Sequence, residues 1–200
     1  MSEHPALDLS PLPTFAFGNR SILWWATMGL IAIEGTAFAI LCAAYFYLKW
    51  RATNWPPGVA PPDLLWGTLN TALLLASAVP NQLTKSAAER LDLPKVRLWI
   101  TVCLVMSIGF FVLRVLEFQS LNCWWDTNAY GSIVWTLLGM HAVHIITDFV
   151  DTATLAAIAF VGPVDGSRFV DFAENALYWY FVVFAWLPIY GILYLAPRLL

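Results

Sequence analysis

The stretch ILWWATMGLIAIEGTAFAILCAAYFYL, Ile22 to Leu48, is apolar almost without interruption and carries one Asp, Glu, Lys or Arg side chain, Glu34. A hydrocarbon core about 30 Å thick is crossed by roughly 20 residues of helix, so this run is long enough to span a membrane. A helix fits better than a barrel strand, because the run is continuous and a helix satisfies its backbone N–H and C=O groups internally. Four further runs have the same character: about residues 64–83, 98–118, 130–161 and 172–195. Polar or proline-rich breaks separate them, namely NWPPGVAPPD (54–63), TKSAAERLDLPKVR (84–97), QSLNCWWDTNA (119–129) and GPVDGSR (162–168). The pattern predicts an all-α, polytopic membrane protein with a bundle of five transmembrane helices. One domain, residues 22–200, follows a tail formed by residues 1–21.

Composition agrees. Of the 200 residues, 60% are hydrophobic and 12% charged, and the mean hydropathy is +0.69, well above a water-soluble domain. The chain has 11 tryptophans and 7 tyrosines, rings that anchor at membrane–water interfaces. A net charge of -3 offers no basic patch for nucleic acid. The tail is acidic and proline-rich and lacks the basic start and apolar run of a secretory signal, so it is expected to be a cytoplasmic tail. Three cysteines without CxxC spacing argue against a disulfide framework or a thiolate metal site. Arg20, Lys85, Arg90, Lys95, Arg97 and Arg168 fall on the N-terminal side of the predicted membrane, while Lys49, Arg51 and Arg198 fall on the other. The positive-inside rule then predicts the N-terminus inside and the C-terminus outside.

Ionisable groups at membrane depth are costly, at least ~2.5–3.5 kcal/mol each on insertion scales, and therefore face protein or water. Glu34 sits near the middle of the first span. Protonation would remove most of its cost, and two readings stand: a proton-exchanging or lipid-contacting carboxyl, or a neutral acid hydrogen-bonded to a neighbouring helix. Arg114 and Glu117, at i and i+3, are close enough on one helix face to form a structural pair, expected near the outer end where water or headgroups assist. His141, His144, Asp148 and Asp151 form one stripe on the fourth helix. H-x-x-H is a usable metal-ligand spacing, but the only other histidine is His4, in the tail. Two histidines on one helix face cannot clasp a haem from both sides, so neutral histidines bonded to carboxyls of adjacent helices are expected and no metal site is. Glu174 lies near the inner end of the last span, whose aromatic rings suit interfacial anchoring and packing. Pro80 and Pro188 are expected near span ends.

Taken in order, these segments resemble subunit III of the haem-copper oxidases, in the five-helix form. The resemblance covers nearly all of the chain after about residue 22. Glu34, on a helix ending AAYFYLKW, is similar to the family's carbodiimide-reactive glutamate. LNTALLLASA (69–78) resembles LNT-x-x-L-x-x-S, and RVLEF carries Glu117. YGSIVWTLLGMHAVHI resembles YGS followed by G-x-H-x-x-H, which brings in His141 and His144. FAENALYWYFVVFAWLPIY resembles the pattern around YWHF and aligns Glu174, Trp179 and Trp186. Tyr180 stands in place of that pattern's histidine, Val183 in place of a common aspartate, and Asp148 in place of glycine.

The resemblance implies a subunit without redox centres of its own, with haem and copper in partner subunits. It implies a chain that packs against oxidase subunit I, binds phospholipid and other membrane lipids, and supports proton uptake in a bacterial inner (cytoplasmic) membrane. Glu34, Glu117, His141, His144 and Glu174 would then form a buried polar network, with Arg114, Asp148 and Trp179 beside it. Two alternatives remain at this level: an accessory subunit of a nitric oxide reductase, and a small independent membrane transporter. An independent metalloenzyme is a third, and the histidine count speaks against it.

Overall fold

A computed structural model describes residues 15–199. His4 and most of the proposed tail lie outside the described residues. Five long helices account for most of the chain: α1 (Ile22–Arg51), α2 (Leu64–Glu89), α3 (Leu93–Gln119), α4 (Ala129–Val161) and α5 (Gly166–Tyr190). α1, α3, α4 and the segment from α5 onward to Leu199 are long and apolar enough to cross a membrane. α2 is the more polar exception, and the reason is visible in its packing. Its buried face carries Asn70, Ser77, Asn81 and Thr84, spaced at i, i+7, i+11 and i+14.

Each start is set by a side chain that takes up a free backbone N–H. Ser21, Asp63, Asp92, Asn128 and Asp165 cap α1 to α5 in turn, as short polar side chains do at helix N-termini. The helices outrun the apolar runs, because residues in the sequence breaks still have helical propensity and caps rather than hydropathy decide the ends. α2 continues past residue 83 to Glu89, α3 begins at Leu93, and α5 begins at Gly166. Pro80 therefore lies well inside α2, not near its end. Leu91 adopts φ 56° in the α2–α3 turn, where the Leu91 and Asp92 amides close back on Ala88 and Ala87 (both 2.9 Å). Pro188 lacks the N–H for one α-helical bond. Shortly afterwards α5 widens into a π-helical turn, Gly191–Leu195, and ends in a short helix, α6 (Ala196–Leu199).

α2 packs along α3 and α5, α4 packs on α3 and α5, and α1 lies across α4 and α5. Two apolar clusters fill the interior. One surrounds Trp186, Leu138 and Tyr194, and the other surrounds Phe172, Val96 and Ala159 beside the α2–α3 and α4–α5 turns. The outward faces are apolar as well, with Trp25, Ile33, Val105, Val112 and Phe184 all more than half exposed. Apolar groups outside and polar groups inside is the arrangement a bilayer demands.

Candidate functional site

The stripe read on α4 divides between two environments. His141 is fully buried, and Asp148 is buried at 4% exposure. His144 is only partly buried and Asp151 is exposed.

His141 belongs to a closed network at the contact of α2, α3, α4 and the end of α5. Arg114 Nη1 lies 2.9 Å from Glu117 Oε2. Asn70 Nδ2 donates to the same oxygen at 2.7 Å, and the Tyr194 hydroxyl donates to Oε1. Arg114 Nη2 donates to His141 Nδ1 at 3.2 Å, and His141 Nε2 donates to the Val182 carbonyl at 3.1 Å. Because arginine only donates and a carbonyl only accepts, these contacts fix the neutral Nε2–H tautomer. The guanidinium also lies 4.8 Å from the Phe110 ring centroid and 4.3 Å from that of Trp186. Trp186 Nε1 in turn donates to Thr71 at 2.7 Å.

Two expectations are corrected here. The Arg114–Glu117 pair receives no help from water or headgroups, its side chains being 4% and 0% exposed. His141 meets an arginine and a backbone carbonyl instead of a carboxyl, because α3 turns Glu117 toward α2 and the tail of α5.

His144 comes closer to the expected carboxyl pairing. Its Nδ1 donates to the Met140 carbonyl at 2.7 Å, and its Nε2 lies 3.6 Å from Glu34 Oε1. That separation is too long for a hydrogen bond. The hydrogen bond to Glu34 comes from elsewhere, the Tyr178 hydroxyl donating to Oε2 at 2.7 Å. Glu34 is thus not sealed in: its side chain is 22% exposed and it lines a groove of about 580 Å³ between α1, α4 and α5. Leucines of α1 and α4 share that groove with Asp148, Asp151, Arg168, Asp171 and Glu174. Glu174 is 5% exposed, and its Oε2 has no protein hydrogen-bond partner among the described residues. Trp179 does not reach the groove; its Nε1 donates to Ser77 at 2.9 Å.

Sequence reading did not single out Asn70, Tyr178 or Tyr194 as site residues. The polar spacing of α2 marks Asn70, which faces inward with Ser77 and Asn81. Tyr178 and Tyr194 carry no such mark, since tyrosines are common in membrane helices and only the fold brings them to Glu34 and Glu117. Among the described residues, no group of three or more His, Cys, Asp or Glu side chains is arranged to hold a metal ion.

Fold and site define a multi-pass helical membrane protein whose polar side chains tie one helix to the next. The family model described as cytochrome c oxidase subunit III matches residues 23–197, and the chain belongs to that family. It is 29% identical over 178 residues to a probable cytochrome c oxidase subunit 3 of Mycobacterium tuberculosis (strain ATCC 25618 / H37Rv), covering 84% of this chain and 85% of that one. It is 24% identical over 181 residues to cytochrome c oxidase subunit 3 of Bacillus subtilis (strain 168), covering 88% and 86%. It is 24% identical over 169 residues to cytochrome c oxidase subunit 3 of Thermostichus vulcanus, covering 82% and 83%. The chain is accordingly a subunit III of a terminal oxidase.

Proposed function

We propose that this chain is the redox-inactive third subunit of an aerobic terminal oxidase, packed chiefly against oxidase subunit I in a bacterial inner membrane. It stabilises that subunit, holds phospholipid in the α1–α4–α5 groove and supports proton uptake. All five helices cross the membrane, with the N-terminus inside and the C-terminus outside. For α2 this reading is supported by its outward face, where Leu65, Leu69, Leu75 and Val79 are exposed while the polar residues turn inward.

The observation that carries the proposal is the position of Glu34. A carboxyl in the middle of an otherwise apolar helix opens onto a groove of about 580 Å³ with leucine walls and charged groups toward one end. Acyl chains suit the leucines and a headgroup suits the charged end. The Tyr178 bond (2.7 Å) holds the Glu34 carboxyl in place.

Purification from mild detergent tests this reading. The chain is expected to come down with a larger haem-bearing protein and with extractable phospholipid. Glu34→Gln is expected to co-purify nearly as well as the wild type, because the amide still accepts from Tyr178. Glu34→Lys is expected to lose the partner, because it sets a cation beside the neutral side chains of Tyr178 and His144 in place of the carboxyl. A chain that is stable alone, or equal recovery of both variants, contradicts the proposal.

A further inference from the structure

Asp148, Thr152 and Asn175 form a small ring between α4 and α5. Thr152 Oγ lies 3.0 Å from Asn175 Oδ1 and 3.4 Å from Asp148 Oδ2, and Asn175 Nδ2 lies 3.4 Å from Asp148 Oδ1. Each of the three contacts needs one hydrogen, and Thr152 and Asn175 can supply only two. The threonine hydroxyl has a single hydrogen, and an amide oxygen only accepts. As the amide stands, Thr152 donates to Asn175 and Asn175 to Asp148, which leaves the Thr152–Asp148 contact without a hydrogen. Turning the amide over moves the gap and does not close it. Asn175 then donates to Thr152 and Thr152 to Asp148, but the Asn175–Asp148 contact becomes oxygen against oxygen. In both orientations the third hydrogen has to come from the Asp148 carboxyl.

The surroundings agree with a neutral acid. Asp148 is 4% exposed, and among the described residues no lysine, arginine or histidine forms an ion pair with it. An unpaired buried carboxylate is costly, and a proton removes that cost. Along the groove, Asp148 is faced by Glu34 of α1, Asp151 of α4, and Asp171, Glu174 and Tyr178 of α5, against the one cation Arg168. Arg168 is itself held by Asp171 at 3.2 Å, and His144, one turn earlier on α4, approaches Glu34. On the other side lies a narrow cavity of about 20 Å³, to which α3 brings Cys103 and Ser107 and α2 brings Ser77, Asn81 and Thr84, none of them a cation. Asp148 lines both spaces, and the groove, at about 580 Å³, is the wider way in and out.

We propose that Asp148 is a proton-binding site of this chain, a neutral carboxylic acid that completes the ring with Thr152 and Asn175 and exchanges its proton with water in the groove. Release breaks the carboxyl O–H bond, leaves its electron pair on the carboxylate and passes the proton to a groove water; uptake is the reverse. The ring is one hydrogen short whenever the site is empty, so proton occupancy and the α4–α5 contact are coupled. Asp148 stands where the family pattern has glycine, so the site belongs to this chain and not to the pattern. The proposal rests on the proton-uptake reading above only for the use made of the proton.

Infrared spectroscopy of the detergent-purified assembly near neutral pH tests it. The wild type is expected to show the C=O stretch of a protonated carboxylic acid that shifts in D2O and is missing from Asp148→Asn. Thr152→Val keeps the carboxyl and removes a ring partner; it is expected to move the same band to higher frequency, which assigns the band even where Asp148→Asn fails to assemble. Melting midpoints give a second readout. The amide of Asp148→Asn carries the third hydrogen at every pH, whereas a proton held in the folded state and lost in the unfolded one stabilises less as pH rises. The wild-type midpoint is therefore expected to fall relative to Asp148→Asn as pH rises above about 4, the value of an unfolded aspartate. The proposal is overturned by the absence of an acid band that either variant removes or moves, by a band that D2O leaves in place, or by a wild-type midpoint that stays level or rises relative to Asp148→Asn. Loss of the band from a chain that still comes down with its haem-bearing partner strikes this site and leaves the reading of the chain standing. A chain that purifies alone and shows the band contradicts that reading and supports the site.

Discussion

The closed network makes a quantitative prediction at Arg114. Truncating one member of a buried ion pair costs about 3–5 kcal/mol, because the remaining charge loses its counter-charge. In Arg114→Met, Glu117 keeps Asn70 and Tyr194 as neutral donors but loses the guanidinium 2.9 Å away. The Phe110 and Trp186 contacts disappear too, each worth about 0.5–2 kcal/mol. In a chain of 200 residues, 1 kcal/mol moves a melting midpoint by about 2–4 °C. The broken ion pair alone is therefore expected to lower it by roughly 6–20 °C in Arg114→Met, with the lost ring contacts adding to that. Glu117→Gln leaves Arg114 unpaired and is expected to fall in the same range. The double variant removes both charges and is expected to be less damaged than the sum of the singles, by about 2–4 kcal/mol. Thermal midpoints of the four proteins in one detergent close the cycle. Additivity within about 0.5 kcal/mol would refute the assignment of these residues to one coupled unit.

Two further outcomes follow from the packing and the caps. A Cβ on Gly67 would meet the Tyr194 ring, lying 2.7 Å from Cε2 and 2.8 Å from Cε1, whereas one on Gly139 would meet nothing within 4 Å. Gly67→Ala is therefore expected to cost about 1–3 kcal/mol by displacing the ring that donates to Glu117, and Gly139→Ala to leave the midpoint unchanged or raise it; equal midpoints would contradict this. In the turns, the Lys95 side chain and backbone hold the Asp92 carboxyl below its usual range, and the Ser167 hydroxyl and Arg168 amide do so for Asp165. A depressed folded-state value means that the stabilisation is complete above the unfolded value, about 4, and is lost as pH falls through the folded one. Amide hydrogen exchange at the starts of α3 and α5 is expected to speed up between pH 4 and lower values, beyond its intrinsic pH dependence. Unchanged protection across that range would contradict the capping role.

The helical architecture was legible because bilayer thickness leaves few alternatives for long apolar runs. α2 shows where composition falls short, since its inward polar face lowers its average although its outward face is apolar. The Arg114–Glu117 contact was readable from i, i+3 spacing, and the inward turn of His141 from the cost of placing it among lipid tails. Partners were not readable. His141 and His144 are one turn apart, yet one meets Arg114 and the other approaches Glu34, because different helices cover the two sides of α4. The third helix that decides each pairing lies far away in sequence: Val182 for His141, Tyr178 for Glu34.

That division also sorts the polar groups by what they can do with a proton. A relay needs a group with a free lone pair and somewhere for the proton to go next. In the closed network His141 has both ring nitrogens occupied, by Arg114 and by the Val182 carbonyl, and arginine does not give up its proton. Glu117 accepts from Asn70 and Tyr194 and lies 2.9 Å from the Arg114 guanidinium. These residues bind helices together and hold their protons fixed. On the groove side, Glu34 Oε1 has His144 Nε2 within 3.6 Å and open space beside it, and Asp148 has only long contacts to Thr152 and Asn175. Among the described residues of the bundle interior, the groups with room to exchange a proton therefore lie on the side of α4 that carries His144 and Asp148. The side that carries His141 ties α3 to α4 and α5 through Arg114, Glu117 and the Val182 carbonyl.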